Sequence, residues 1–392
     1  MPKELAVQQS YQGWRRLEGE PKRGFQRFLD WSGAGHPFDP VKEDFMTYLI
    51  GAEESDGAVP VTRYTKRKGT PKAATWTTHA SAMDCLESEQ GIAGQIIPGS
   101  SGFTFADSTD QLDRFRLVAG EAAYKGREGI EFYPQELLLF RYTQPGPKKG
   151  QVWLRNIQVQ RSKYPIAEHE VLVETRYLFP LVKGPRIEPF EHQYDGLIVP
   201  FPYEPDDPHR PLSRSTLRAR SPLLLAFYDE WADVLKSQTG FSDSIRGSNP
   251  GEFYGLARTG PYSFADCYVA FRDNSRWNAC VVTEENVPWG GSKRLLFQNH
   301  AVSICERPDG TFIDLDEAHY VCAILNSPTV SAFITASSDD RSFKIRPPVK
   351  LPPFDPKMKS HRLLSELSRG AHEDRSDLDR VRADIDSIYL QL

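Results

Sequence analysis

The chain has 392 residues, 39% hydrophobic, 26% charged and 11% aromatic, with 30 prolines and 28 glycines. That length suffices for one large or two ordinary domains with real cores, and the proline and glycine content argues against a helix bundle, a collagen or bulk disorder. A net charge of −5, from 48 basic and 53 acidic residues, excludes a histone-like nucleic-acid coat but leaves room for a local basic cleft.

In chain order, Gly24 to Trp31 carries Phe25, Phe28 and Leu29 at helical spacing, and the loop Gly33–Pro40 ends it. Val59 to Lys68 alternates and reads as a strand after the Asp56–Gly57 turn. Residues 70–110 are weakly patterned. Glu136 to Tyr142 reads as a strand, Pro145–Gly150 as a turn, and Val152 to Val159 as the next strand. A boundary placed at that turn divides an N-terminal mixed region, 1–145, from a second region, 146–370. Ser221-Pro222 starts a helix as cap and first-turn proline. Leu223, Leu224, Phe227, Trp231, Val234 and Leu235 then share one face, and Gly240 stops it. Strand-like runs cover Tyr268–Arg272, Asn278–Thr283 and His300–Cys305. Ala318, Val321, Cys322 and Leu325 follow the helical rule, and Asn326-Ser327-Pro328 resets the chain into a further helix. In 371–392, Leu378, Val381, Ile385, Ile388 and Leu392 form a two-heptad seam, too short to stand alone, so this helix docks on the body or on a partner.

Several motifs fail as chemistry. Asp316-Glu317-Ala318-His319 spells a helicase box, but no Gly-Lys-Ser/Thr phosphate loop accompanies it, so it reads as a helix start. Gly33-Ala34-Gly35 follows no strand, and no G-x-S-x-G elbow occurs. The nine histidines are scattered, and the five cysteines (Cys85, Cys267, Cys280, Cys305, Cys322) contain no C-x-x-C pair, which argues against a metal centre and a disulfide framework. No apolar run is long enough to span a bilayer and the N-terminus lacks a secretory signal, so the expectation is a cytoplasmic protein. Three basic runs stand out: Arg63–Lys72, Arg210–Arg220, and Arg341, Lys344, Arg346 and Lys350 interleaved with Phe343 and prolines. Each is either a solvated loop or part of a binding surface. On these residues alone the chain reads as a binding module.

A more specific signal lies in the order of several segments. Glu174-Thr175-Arg176-Tyr177-Leu178-Phe179-Pro180-Leu181-Val182-Lys183-Gly184 is followed by a strand ending in Pro202-Tyr203-Glu204 and by the Pro222 helix. Then come Glu252-Phe253-Tyr254-Gly255-Leu256-Ala257-Arg258, Gly260-Pro261-Tyr262-Ser263-Phe264, the Glu317–Pro328 stretch ending Leu-Asn-Ser-Pro, and Arg341–Pro347 with Leu351-Pro352-Pro353-Phe354. Lys125-Gly126-Arg127-Glu128-Gly129 opens the series. Over roughly residues 120–370 this order resembles the TaqI-like C-terminal specificity domain of N6-adenine DNA methyltransferases, including the fused type IIG restriction–modification enzymes. The family's Gly-rich AdoMet loop and its Asn-Pro-Pro-Tyr/Phe motif, which holds the flipped adenine, are both missing; Asn249-Pro250-Gly251 is the nearest string and lies in the wrong place.

The resemblance implies an α+β fold: a β-rich target-recognition domain with several helices, preceded by a smaller mixed α/β region and ended by a C-terminal helix. It implies a specificity subunit of a split adenine methyltransferase in a restriction–modification or phage-defence system, not catalytic alone. Its partners would be double-stranded DNA and a catalytic subunit carrying AdoMet; this chain would hold no cofactor. The alternative is a stand-alone DNA-binding or scaffold protein. Lys125, Arg127, Arg258, Arg272, Arg341, Lys344 and Arg346 are the expected DNA-facing residues, since arginine and lysine beside aromatics suit phosphate and base-edge contacts. Tyr254 and Tyr262 read as packing aromatics. Residues 1–145 would be a remnant of, or docking surface for, the catalytic domain. Their aromatics (Trp14, Phe25, Phe28, Trp31, Phe45, Tyr48) look poorly patterned for an independent core, so they and the Leu378–Leu392 stripe are the surfaces expected to meet the partner.

Overall fold

The computed structural model describes residues 2–17, 23–34, 44–52, 57–70, 78–159, 164, 166–237, 252–272, 276–298, 300–338 and 345–392. The fold is α+β and holds three main sheets. The N-terminal sheet has five strands in the order Met46–Gly51, Gly24–Gly33, Val59–Lys66, Leu86–Gly94, Thr104–Ala106, with one parallel pair between the second and third. A middle sheet of six runs Leu296–Phe297, Leu178–Val182, Leu197–Pro200, Phe140–Pro145, Gln151–Asn156, Glu170–Glu174. The central sheet of four is antiparallel throughout: Ala279–Val282, Tyr268–Arg272, Ala301–Ile304, Arg127–Glu128. Among the described residues no helix is long and apolar enough to cross a membrane.

The segment Gly24–Trp31 is a strand, not a helix. The pairing with Met46–Gly51 shifts register between Phe25 and Arg27, so one extra residue resets the alternation. Phe25 and Phe28, three apart, therefore both face inward at 4% and 1% exposure. They meet Phe103 at ring distances of 5.3 and 4.9 Å, and Trp14 and Tyr48 pack beside Phe25. These aromatics build a core of their own with Met46, Val59 and Val61, so Trp14, Phe25, Phe28 and Tyr48 are not left for a partner; Trp31 and Phe45 stand outside that core, stacked at 6.2 Å. The helix Thr109–Val118 then carries the chain onward, placing Leu112, Phe115 and Val118 in the core shared with the C-terminal helices.

Glu136–Tyr142 also differs: Gln135–Leu138 is a helical turn, and the strand begins at Phe140. Residues 137–140 are apolar and fully buried, and such a run carries no period to separate helix from strand. The turn at 145–150 joins two strands that pair with each other. The second of them stops at Asn156, whose side-chain amide donates to the carbonyls of Glu136 and Ala167 while its oxygen accepts from the His169 backbone. On the middle sheet, Leu154, Val173, Leu178 and Ile198 pack against Leu224, Phe227 and Tyr228 of the helix Pro222–Glu230. This helix breaks at Trp231 and resumes as Ala232–Lys236; Gly240 lies outside the described residues. Its start is capped not by Ser221 but by the Glu174 carboxylate, which accepts from the Leu223 and Leu224 amides at 3.1 and 3.2 Å.

Both faces of the central sheet are buried, which explains why its strands read as near-continuous apolar runs. Val269, Phe271, Val281 and Val302 face the helices Leu315–Leu325, Pro328–Ala336, Lys359–Glu373 and Leu378–Tyr389. Tyr268, Ala270, Cys280 and Val282 face Val182, Ile187, Leu295 and Phe297. The C-terminal stripe docks on the body: Ile385 and Tyr389 are buried and Leu378, Val381 and Ile388 pack on the same core. The body thus takes up this stripe except at Leu392, which is exposed.

The helical layer packs around three histidines, His319, His361 and His372. Burial drives the His319 imidazole down to about 3, and His372 and His361 are likewise lowered by burial. His372 Nε2 accepts the backbone N–H of Val281, so the ring must stay neutral to hold that strand. The unfolded chain takes up these protons below the ordinary histidine value of about 6.5 and the folded chain does not, so stability is complete above that pH and falls on acidification. His319→Gln should flatten this fall in the range between pH 6.5 and 3, with thermal midpoints as the readout; parallel curves for the two proteins would refute it.

Candidate nucleic-acid interface

The segments that carry the family resemblance are a connected scaffold. Glu174 caps the Pro222 helix. Tyr177 donates to Glu204 at 2.9 Å, and Glu204 also pairs with Arg176 and Arg220. Tyr203, stacked on Phe201, accepts the Leu256 amide through its hydroxyl at 2.6 Å. Tyr254 is buried, lies 4.6 Å from Tyr228 in a stacked pair, and donates to the Leu212 carbonyl. These are packing and hydrogen-bonding roles. They hold the middle sheet against residues 252–258, which lead directly into the central sheet.

The edge of the central sheet gathers several of the expected site residues. Arg127 lies on the edge strand Arg127–Glu128, which pairs with Ala301–Ile304, and exposed Lys125 precedes it. Gly126 between them sits so close to the Ile345 carbonyl that any Cβ would collide with it. This contact brings Ile345 and exposed Arg346 beside Lys125 and Arg127, more than 200 residues away in sequence. Arg272 ends the strand Tyr268–Arg272, two strands in from this edge, opposite Ala301. Arg341 and Lys344 lie outside the described residues. Neither Lys125 nor Arg346 has an ion-pair partner among the described residues.

Arg127 and Arg258 are differently placed. Arg127 reaches Glu306 at 3.0 Å and lies over the Tyr262 ring at 5.3 Å, so its guanidinium is braced by a carboxylate and an aromatic ring. Burial pushes the Tyr262 phenol up to about 12. Arg258 adopts a left-handed backbone (φ +62°) and pairs with Glu128 and, at 3.2 Å, with Glu131. Burial raises the Glu131 carboxyl above its usual range, and the adjacent Arg258 charge opposes that rise. These acids were not singled out in the sequence; only their placement around the guanidinium reveals their part. Residues of the other basic runs are also taken up: Arg214 pairs with Asp229 at 2.7 Å, Arg220 with Glu204, and Arg63 with Asp107. No group of three His, Cys, Asp or Glu side chains converges as a metal site among the described residues.

The fold and this edge define an α+β protein with a partly compensated basic margin on its central sheet. Neither a family model nor a curated protein matches the chain. Among solved structures, it is similar to that of the type IIL restriction-modification enzyme MmeI in complex with DNA, at a TM-score of 0.45 and 11% identity. The match covers 94% of this chain and 42% of that one, so the chain spans less than half the length of that enzyme.

Because Glu131 is partly desolvated and leans on Arg258, Arg258→Ala should destabilise the fold by about 1–2 kcal/mol after allowing for screening of the half-exposed guanidinium. The loss of its partner raises the Glu131 carboxyl further. A carboxyl raised on folding binds more protons in the folded than in the unfolded state, so the deficit should be larger at pH 8 than at pH 5. Urea unfolding at the two pH values measures this, and an equal deficit at both would contradict it.

Proposed function

We propose that this chain is the DNA target-recognition subunit of a split, site-specific N6-adenine DNA methyltransferase, within a restriction–modification or phage-defence system. One observation supports it most: the segments that open and close the family-like order, Lys125–Gly129 and the stretch around Arg346, meet at one edge of the central sheet. In this reading Lys125, Arg127, Arg346 and Arg272 face DNA, together with Arg341 and Lys344. Exposed Lys125 and Arg346 suit phosphates, which fix position on the duplex, and Arg127, braced by Glu306 and Tyr262, suits a base edge. Arg258 faces DNA from the same margin while Glu128 and Glu131 hold it in place.

The chain supplies recognition only. Its sequence has no Gly-rich AdoMet loop and no Asn-Pro-Pro-Tyr/Phe motif, so none of its residues is assigned to cofactor or to the adenine amino group. A partner chain supplies both, and this subunit positions the duplex so that the partner extrudes the target base. The rival reading, a stand-alone DNA-binding or scaffold protein, shares the DNA face and lacks the catalytic partner.

Duplex DNA binding should fall steeply with salt, with a log–log slope of about −0.9 for each phosphate contacted. Lys125→Ala/Arg346→Ala should weaken binding by about tenfold and make the slope shallower by about 1–2. Fluorescence anisotropy across a salt series gives both quantities. An unchanged isotherm would remove this edge from the DNA face.

A further inference from the structure

A second basic feature lies away from this edge, on the N-terminal sheet. At the end where the strands Gly24–Gly33 and Val59–Lys66 begin and Leu86–Gly94 ends, a cavity of about 440 Å³ opens. Arg15, Arg16, Arg23 and Arg116 line it, and its lining contains no carboxylate among the described residues. The four come from three parts of the chain: the N-terminal helical turn Gln12–Arg15 and the residue after it, the approach to the first strand, and the helix Thr109–Val118. Phe25 and Phe103 give it an apolar floor.

Arg15 is the telling member. It is only 3% exposed, and every hydrogen bond of its guanidinium goes to a neutral oxygen. Nε donates to the Ser101 carbonyl at 2.8 Å and to its hydroxyl at 3.2 Å, while Nη1 and Nη2 donate to the carbonyls of Leu5 and Gln8, each at 2.6 Å. These bonds tie the N-terminal turns to the sheet, and among the described residues no carboxylate pairs with the positive charge. A buried cation held only by dipoles is costly, and an anion beside it removes much of that cost. Arg116 pairs with Asp113 one turn back on its own helix, and Asp113 does not line the cavity. Exposed Arg23 stands at the mouth. Gly57 and Gly94 line the wall, and at Gly57 there is open space where a side chain would stand, so a ligand can reach the backbone.

We infer that this cavity binds a diphosphate group, free or as part of a nucleotide. Guanidinium forks match phosphate oxygens in pairs, and several converging arginines suit a multiply charged anion better than a single carboxylate. The volume falls within the ordinary range for small-ligand sites. The proposed role is binding alone; the sequence has no phosphate-loop motif. This inference is independent of the DNA reading and of residues 125–127 and 346.

The test is isothermal titration of the full chain with pyrophosphate and with ADP at low ionic strength. Saturable binding of pyrophosphate is expected, with Arg23→Ala/Arg116→Ala weakening it about tenfold or more while leaving Arg15 and its structural bonds intact. Lys125→Ala/Arg346→Ala should bind as the parent does. Equal affinity for both ligands assigns the site to free diphosphate, and tighter ADP binding assigns it to a nucleotide. Absence of saturable binding at millimolar pyrophosphate, or binding undiminished in the Arg23/Arg116 variant, would overturn the inference.

Discussion

The C-terminal half depends on how the buried Asn326–Thr329 corner is satisfied. Asn326, 1% exposed, clasps Ala279 at the margin of the central sheet: its oxygen accepts the Ala279 amide at 3.2 Å and its Nδ2 donates to the Ala279 carbonyl at 2.8 Å. His372 accepts the next outward-facing amide, at Val281, so the strand's open edge is covered by side chains. Ser327 caps the helix Pro328–Ala336, and Asp386 of the last helix accepts from the Ser327 hydroxyl and from both the amide and hydroxyl of Thr329. A carboxylate buried with this many donors is worth holding only if all are made, because each orphaned donor would cost about 1–3 kcal/mol. The corner thus fixes the last helix, and Tyr389 of that helix donates to the Lys350 carbonyl. Val349 and Leu351 bridge to Ala119 and Ala122. Arg346 is held near Gly126 through this chain of contacts, so the basic edge depends on a hydrogen-bonded corner at the opposite edge of the central sheet.

Charge is distributed so that little of it is available. Many of the arginines lie against a carboxylate: Arg220 and Arg176 on Glu204, Arg307 on Glu317, Arg375 on Glu191. Glu317 is itself buried and accepts from Tyr124, whose hydroxyl in turn accepts the Phe354 amide, so one acid joins the segments around 124, 307 and 354. A chain of net charge −5 that pairs its cations in this way has no general attraction for polyanions. Affinity must then come from the few places where cations converge.

Much of this was legible in the sequence, for identifiable reasons. The strand Tyr268–Arg272 and the helix beginning near Leu315 carry clean patterns and clear ends, and Asn326-Ser327-Pro328 marks a break that the structure uses as a cap. The first strand carries a helical spacing because a bulge places two phenylalanines three apart on one face. The turn at Gln135 was hidden in an apolar run without period. Sites suffer a different limit. The Gly126–Ile345 approach, the acids around Arg258 and the convergence of Arg15, Arg23 and Arg116 all join residues far apart in the chain, and charge runs reveal only neighbours. Tertiary closeness leaves no local signature in a single sequence.

The split between recognition and catalysis is the central claim. Its most direct test is transfer of a labelled methyl group from AdoMet to duplex DNA, measured with this chain alone, with a partner chain bearing the Gly-rich and Asn-Pro-Pro-Tyr/Phe motifs alone, and with the two mixed and resolved by size exclusion. The predicted result is label on adenine only in the mixture, with both chains eluting together. Transfer by this chain alone, or separate elution with no gain of activity on mixing, would contradict it.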